Sequence, residues 1–312
     1  MLKASSWTVA AALVLLAGCD FEGFSIGSAT AYQKDFHYTH TLKKGGRLSL
    51  ENFNGPVELS GWDQETVEIS GALYASSPEL RDALKVDIQS APDSLFIRTV
   101  RPPAGTRGNY GARYVLRVPR SVELDRVVSS NGKIRIEDIT GTVRLRTSNG
   151  HVEVVRVRGT VEATTSNGSV GLRDVEGPVT VRTSNGGVKT EDLKGAVDAT
   201  TSNGSIHAHI ARTDPRRPMK LETSNGGIEV SMESGAASDL RASTSNGGIT
   251  VRLPPGAGVR VRAQTSNSSI STDFDVRREG TNNKHRLEGT IGDGGAMIEL
   301  ASSNGGIRLL KR

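Results

Sequence analysis

Residues 164–170 read TTSNGSV, and their Ser-Asn-Gly core returns along most of the chain. The first four steps between repeated asparagines are 18 residues each, the next three are 22, 21 and 21, and the last is 37. The long last step fits two repeats with one marker missing, and Asn54 is a weaker, earlier copy. A fixed period of this kind indicates a repeat architecture. The repeated asparagines are Asn131, Asn149, Asn167, Asn185, Asn203, Asn225, Asn246, Asn267 and Asn304.

Apolar and polar residues alternate on both sides of each triplet. After Asn149, for example, Val152 and Val154 flank Glu153, and a second short run begins at Val161. An alternation with period two predicts strands with one buried face, so each repeat supplies two strands and two turns. A single repeat cannot bury its own apolar face, whereas stacked repeats bury theirs against one another.

The repeat is too short for a crossover helix, so we expect each strand to pair in parallel with its equivalent about 4.8 Å away. The sequence therefore predicts an all-β fold, a parallel β-solenoid (β-helix-like) of about 18–22-residue coils with an irregular β-rich N-terminal cap. An antiparallel sandwich of hairpins is the alternative, but hairpins do not require a constant 18-residue period. A calcium-binding solenoid is not favoured, because its GGxGxD nonapeptide is absent.

The Asn-Gly pair suits a tight turn, because both residues tolerate positive φ. Repeated in one register, the Asn amides are predicted to bond to the Asn or backbone one coil away, forming a ladder. Neighbouring Ser and Thr hydroxyls are expected to bond the turn backbone. The copies would then bind each other, and a partner belongs on the outer faces or the N-terminal cap.

The chain divides into four predicted parts. Residues 1–18 are predicted as a lipoprotein signal peptide and residues 19–35 as a lipidated linker. Residues 36–128 are predicted as the β-rich cap, with a short helix from Ser77 through Lys85. Residues 129–312 form the solenoid, in which a polar stretch at about 272–289 is expected to leave the stack as a loop.

The N-terminus carries the targeting signal. The apolar run from Val9 to Ala17 is too short to span a bilayer and is typical of a secretory signal. Leu-Ala-Gly precedes Cys19, the one cysteine of the chain, so no internal disulfide can form. This arrangement resembles the lipobox of bacterial lipoproteins, which implies cleavage before Cys19 and its lipidation. The alternative is an ordinary signal peptide with an incidental cysteine.

Candidate chemistry is sparse in this sequence. Asp138, Asp174 and Asp192 form a column that could serve acid–base catalysis on polysaccharide, although Asp also favours turns. His207 and His209 share a strand face without a visible third ligand. The triplet serines lack an accompanying base. We therefore predict no catalytic, cofactor-binding or metal-binding residues.

Nucleic-acid binding is not expected either. The net charge of +5 is mild for 312 residues. Phe274 is the one aromatic residue between Asn131 and Arg312, so bases would have little to stack on. Sugars would also lack stacking partners, which leaves recognition of glycans by hydrogen bonding open.

Taken together, a lipoprotein signal, the strand YVLRVP at Tyr114–Pro119 and serial TSNGxVxVxDVxG units resemble the bacterial β-strand-repeat "putative adhesin" family, a domain of unknown function. The resemblance covers roughly residues 45–312. It implies adhesion and brings no catalytic residues. The sequence is thus interpreted as a lipid-anchored, non-catalytic cell-envelope protein, on the periplasmic side of the inner membrane or in the outer membrane. Its solenoid would bind or scaffold an envelope protein or glycan. Alternatives are a β-helix enzyme acting on polysaccharide and an envelope assembly or stress accessory protein.

Overall fold

The computed structural model describes residues 32–103, 105–234, 238–280 and 282–312. The predicted signal peptide, Cys19 and most of the predicted linker lie outside the described residues. Within the described ranges the chain forms 27 strands and one short helix. None of the helical structure described there is long and apolar enough to cross a membrane.

The elements follow one another along the chain with short connections. The N-terminal elements are β1 (Tyr32–Thr41), β2 (Gly46–Asn52), β3 (Val57–Trp62), β4 (Thr66–Ala75), helix α1 (Pro78–Ala83), β5 (Lys85–Ala91), β6 (Ser94–Val100), β7 (Tyr110–Pro119) and β8 (Val122–Ser129). The regular repeats supply β9 (Ile134–Thr140), β10 (Val143–Thr147), β11 (Val152–Arg158), β12 (Val161–Thr164), β13 (Val170–Glu176), β14 (Val179–Arg182), β15 (Val188–Lys194), β16 (Val197–Thr200), β17 (Ile206–Arg212), β18 (Met219–Thr223), β19 (Ile228–Met232), β20 (Leu240–Thr244) and β21 (Ile249–Leu253). The C-terminal part contributes β22 (Val259–Thr265), β23 (Ile270–Thr272), β24 (Val276–Arg278), β25 (Arg286–Ile291), β26 (Ala296–Ser302) and β27 (Ile307–Lys311).

The strands form two long sheets. Sheet one has 13 strands in the order β1-β4-β7-β3-β9-β11-β13-β15-β17-β19-β21-β27-β23. Sheet two has 14 strands in the order β24-β25-β22-β26-β20-β18-β16-β14-β12-β10-β8-β2-β6-β5. Each regular coil runs from a strand of sheet two through a Ser-Asn-Gly turn into a strand of sheet one. A second corner then returns the chain to sheet two.

Neighbouring coils pair in parallel and in register. Val152 of β11 pairs with Ile134 on one side and Val170 on the other, and Val161 of β12 pairs with Val143 and Val179. The inward columns of both sheets are buried and form one continuous apolar core. The predicted parallel β-solenoid is therefore confirmed, and its stability rests on columns that no single coil could bury.

The second corner uses a left-handed backbone residue inside the sheet-one strand. Asp138, Arg156, Asp174 and Asp192 have φ between +52° and +61°. Each adds one residue to the period-two alternation, and β9, β11 and β13 do so at the same register, so the apolar residue that follows turns back into the core. Asp visits this region more readily than most residues, which explains the Asp column without catalysis.

At the N-terminal end the sheets continue without a break across residue 128, the predicted boundary of the cap. β3 pairs in parallel with β9, and β8 with β10, while antiparallel pairs β1–β4, β4–β7 and β5–β6 complete that end. Helix α1 begins after Ser77, whose side chain accepts a hydrogen bond from the Leu80 amide. It ends before the predicted Lys85, because Leu84 is already extended and β5 begins at Lys85.

The polar insertion differs from the predicted loop. Residues 276–278 and 286–291 form β24 and β25, and β25 runs antiparallel to β22. Leu287 and Ile291 are buried on this strand. The sequence pattern missed it because Gly289 stands between these two apolar residues and the preceding segment is strongly polar.

The last coil, β26 and β27, is out of chain order. β26 lies between β20 and β22, and β27 lies between β21 and β23. The sequence spacing predicted that the 37-residue step contains two repeats, one of them without its marker. In the residues of this step that the structure describes, there is no such second coil. These 37 residues include β24 and β25 at the edge of sheet two, and the chain then re-enters the stack at β26.

Candidate functional site

The repeated asparagines lie along one edge of the solenoid as a continuous ladder. Each Nδ2 donates to the Oδ1 of the neighbouring coil, for example from Asn167 to Asn149 at 2.6 Å and from Asn185 to Asn167 at 2.7 Å. At the N-terminal end Asn131 donates to the Phe53 carbonyl at 3.5 Å. The spatial order of the ladder is Asn131, Asn149, Asn167, Asn185, Asn203, Asn225, Asn246, Asn304 and Asn267.

A second ladder lies beneath the asparagines and is buried. Thr165 Oγ1 accepts the Gly168 amide of its own turn at 3.2 Å and donates to the Gly150 carbonyl of the previous coil at 3.2 Å. Thr183 repeats this arrangement one coil further on. The polar groups of the turns are thus largely bonded to adjacent turns, which leaves them little capacity for a ligand.

The sequence predicted that the triplet glycines are needed for positive φ, but the structure gives a different reason. Gly150 and Gly168 do not have positive φ; the positive-φ glycines of the coils, such as Gly159, lie at the opposite corner. An ideal Cβ on Gly168 would lie 1.7 Å from the Gly150 carbonyl oxygen. The triplet needs glycine because adjacent coils approach too closely for a side chain.

The outer face of sheet one carries a depression over Gly171. Its volume is about 450 Å³, and its walls include His151, Glu153, Lys189 and His207. A Cβ at Gly171 would have its nearest neighbour at 3.9 Å, in the His151 ring. The depression exists because glycine interrupts an outward column that otherwise carries long polar side chains.

Hydrogen bonds and ion pairs hold the walls of this depression in place. His151 Nδ1 lies 2.7 Å from Ser169 Oγ. Glu153 pairs with Lys133 at 2.7 Å and with Arg135, and the Lys133 hydrogen bond is the main reason that the pKa of Glu153 is lowered to about 2. The walls therefore present donors and acceptors of both charges. Sequence reasoning missed this cluster, although the 18-residue period places residue i beside residue i+18.

Two carboxylates of the Asp column face cations, and the third faces a histidine ring. Arg156 contacts both oxygens of Asp138, at 2.8 and 2.9 Å, and its hydrogen bonds hold the pKa of Asp138 below its ordinary value. Asp174 lies 4.0 Å from Lys194, and Asp192 lies 3.4 Å from the His209 ring. A general acid needs a raised pKa, and Asp138 is shifted in the opposite direction.

The two histidines project from one face of β17, as their spacing indicated. His207 lies 3.5 Å from Glu229, and His209 lies between Asp192 and Glu233, at 3.4 and 3.3 Å. Within the described part of the chain, no three His, Cys, Asp or Glu residues are grouped so that they could hold a metal ion.

Comparison with known proteins identifies the family. Residues 114–310, which begin in β7 and include every regular coil, match the Toastrack DUF4097 family. This chain belongs to the Toastrack DUF4097 family. The Toastrack match begins before residue 128, in agreement with sheets that continue across that position. The resemblance seen in the sequence, to a β-strand-repeat family of unknown function, is confirmed.

Solved structures similar to this Toastrack chain are distant in sequence. A "putative adhesin" from Parabacteroides distasonis ATCC 8503 is 11% identical, with 88% of this chain and 97% of that chain covered and a TM-score of 0.48. A "putative cell adhesion protein" from Clostridium sporogenes ATCC 15579 is 10% identical, with 89% and 100% covered and a TM-score of 0.24. No curated protein matches.

Proposed function

We propose that this Toastrack protein is a lipid-anchored, non-catalytic cell-envelope protein whose solenoid presents a fixed surface to an envelope glycan. The observation that carries the proposal is the depression over Gly171, which polar side chains surround, set in a face that two hydrogen-bonded ladders hold in register. The pairing of Asp138 with Arg156, which holds the pKa of Asp138 below its ordinary value, supports the absence of a catalytic role.

The ladders matter because they limit movement between coils. Each coil near the depression is joined to the next by strand pairing in both sheets, by an Asn–Asn bond and by a Thr–Gly bond. A surface that is already ordered loses little conformational entropy when a ligand binds. The backbone positions that carry the donors and acceptors around Gly171 are therefore held at constant separations.

The polar side chains that line this depression suit a hydroxyl-rich ligand. Glu153 offers acceptors, Lys189 and Arg173 offer donors, and Ser205 offers both. Lys189 and Arg173 both pair with Glu191, at 2.5 and 3.3 Å, which places two cations beside one carboxylate on this wall. Neighbouring donors and acceptors of this kind bind sugar hydroxyls without a stacking platform.

Glycan binding can be tested by filling the depression with a large side chain. We would place Gly171→Tyr in a Cys19→Ser background and measure the fraction retained on purified, insoluble envelope glycan. Thr250→Tyr is the matched control, because Thr250 continues the same outward column away from the depression. Loss of retention with Gly171→Tyr alone supports the proposal, and equal retention of both variants with the parent contradicts it.

Anchoring is tested separately at Cys19. The support is the Leu-Ala-Gly-Cys sequence after a short apolar run, since several acyl chains on one residue would hold the protein stably at a membrane. Cys19→Ser should move the protein from the membrane to the soluble fraction. Unchanged fractionation, together with no loss of lipid mass from the mature N-terminus, would contradict lipidation.

A further inference from the structure

The C-terminal coil fills a slot between two coils that are consecutive in the chain. Asn304 receives the Asn267 amide at 2.7 Å and donates its own amide to Asn246 at 2.7 Å. The coil formed by β20 and β21 and the coil formed by β22 and β23 are therefore separated by residues that come more than 30 positions later. We call this space the C-terminal slot and residues 296–312 the C-terminal coil.

The two walls of the slot match each other in register. Ile298 pairs with Leu240 on one side and with Val261 on the other, so these wall residues are 21 positions apart. The same step of 21 separates Asn225 from Asn246, which lie on directly adjacent coils. The C-terminal coil thus repeats the column pattern of both walls, and any segment with that pattern would complete the ladder.

The contacts that hold the C-terminal coil come from residues distant in sequence. Ser302 Oγ donates to the Gly247 carbonyl at 2.9 Å, and Thr265 Oγ1 donates to the Gly305 carbonyl at 2.9 Å. These contacts and the parallel pairs of β26 and β27 depend on the column pattern and not on the connection to β25. The slot of one molecule therefore offers identical contacts to the C-terminal coil of another.

The connection to the C-terminal coil is short and rich in glycine. Residues 292–295 join β25 to β26, which lie on opposite edges of β22, so the connection crosses the start of β22. A Cβ on Gly258 would lie 2.5 Å from the Gly294 carbonyl oxygen, and Gly295 has φ of +138°. This close crossing needs glycine, and glycine also leaves the backbone of the connection able to adopt other conformations.

We propose that the C-terminal slot accepts the C-terminal coil of a second copy of this chain, and that reciprocal exchange links two molecules into a dimer. The exchanged and unexchanged forms share the same strand pairs and ladder bonds, so their balance depends on chain concentration. A short tether gives its own coil an effective concentration on the order of 1 mM. Exchange is then favoured where molecules are crowded, and it does not depend on the glycan proposal.

Cross-linking with single cysteines tests this exchange. In the Cys19→Ser background, Thr250→Cys and Arg308→Cys are made on separately tagged chains, because these residues are partners across β21 and β27. The chains are unfolded together, refolded at up to about 1 mM, and treated with a short bismaleimide. Exchange predicts a cross-linked product that carries both tags, in particles with the mass of a dimer.

The control pair is Glu229→Cys with Thr250→Cys, which are partners on the consecutive strands β19 and β21. Chains that carry these two cysteines separately should give no product with both tags, because that pair is not exchanged. Gly258→Ala should raise the dimer fraction, since opening the crossing relieves its close contact. The proposal is overturned if Thr250→Cys and Arg308→Cys link only when both are on one chain and the mass stays monomeric.

Discussion

Gly168 lies so close to Gly150 of the preceding coil that a Cβ on Gly168 would meet the Gly150 carbonyl oxygen at 1.7 Å. This contact cannot be relieved by a rotamer change, because the backbone fixes the position of the Cβ and its neighbour is a backbone oxygen. The spacing of the coils therefore depends on glycine at this position, although Gly168 does not have positive φ.

Gly168→Ala should lower the free energy of unfolding by about 1–3 kcal/mol or more, because the coils must separate around the new methyl group. Gly171→Ala, three residues further on, is the matched control. Its Cβ has open space, so it should be neutral or stabilise the strand by about 0.5–1 kcal/mol. Urea unfolding of both variants measures the difference, and similar stabilities would show that close coil approach is not the constraint.

The left-handed column gives a second prediction. Asp174 has φ of +52°, which a β-branched residue adopts poorly. Asp174→Val should cost about 1–2 kcal/mol. Asp198→Val is the control, since Asp198 faces outward on β16 without positive φ and Val favours strands. Asp174→Gly should retain the parent stability, because glycine adopts positive φ without steric cost. If thermal unfolding shows equal losses for Asp174→Val and Asp198→Val, the corner does not require a left-handed residue.

The asparagine ladder gives a third prediction. Asn185→Ala removes one bond to Asn167 and one from Asn203. The ladder is solvent-exposed and water can replace these partners, so we expect a loss of about 0.5–1.5 kcal/mol. Thr183→Val, in the buried ladder beneath, should cost more, because the Gly168 carbonyl and Gly186 amide lose a partner away from water. Chemical denaturation ranks the two; a larger loss for Asn185→Ala would reverse this assignment.

Much of the solenoid could be predicted because its apolar residues and turn triplets recur with a fixed period along the sequence. The 18-residue step determines which residues become neighbours, so Asn149 and Asn167, or Val152 and Val170, could be paired from the sequence. The regular strands and the inward columns follow from the same register.

The position of the last coil, the role of the triplet glycines and the depression could not be predicted from the repeat period. The insertion of the coil around Asn304 beside Asn246 follows from the path of β24 and β25, and nothing in the spacing distinguishes it from stacking at the end. The role of Gly168 was misassigned because Asn-Gly also fits a turn with positive φ. The depression over Gly171 follows from an absent side chain, which a search for reactive residues overlooks.

The ion pairs beside the depression predict a pH dependence. Lys133 first, and Arg135 with it, hold the pKa of Glu153 at about 2, below the ordinary value of a glutamate, which is about 4.5. A lowered pKa in the folded state contributes stability above the unfolded-state pKa and loses it as pH falls through the folded-state pKa. Glu153 thus stabilises the fold at neutral pH, and this contribution disappears between about pH 4.5 and about pH 2.

Glu153→Gln should therefore be less stable than the parent at pH 7, by about 1–3 kcal/mol, because its side chain is partly buried and its partners lose a charged acceptor. The difference should shrink as the pH is lowered toward 2, since the parent then carries a neutral Glu153. Glu162→Gln is the control: Glu162 is half exposed and pairs with Arg144 at 3.4 Å, so its loss should be small at every pH. Urea unfolding from pH 7 to pH 2 measures both variants, and a Glu153→Gln deficit that persists at low pH would assign the effect to packing and not to charge.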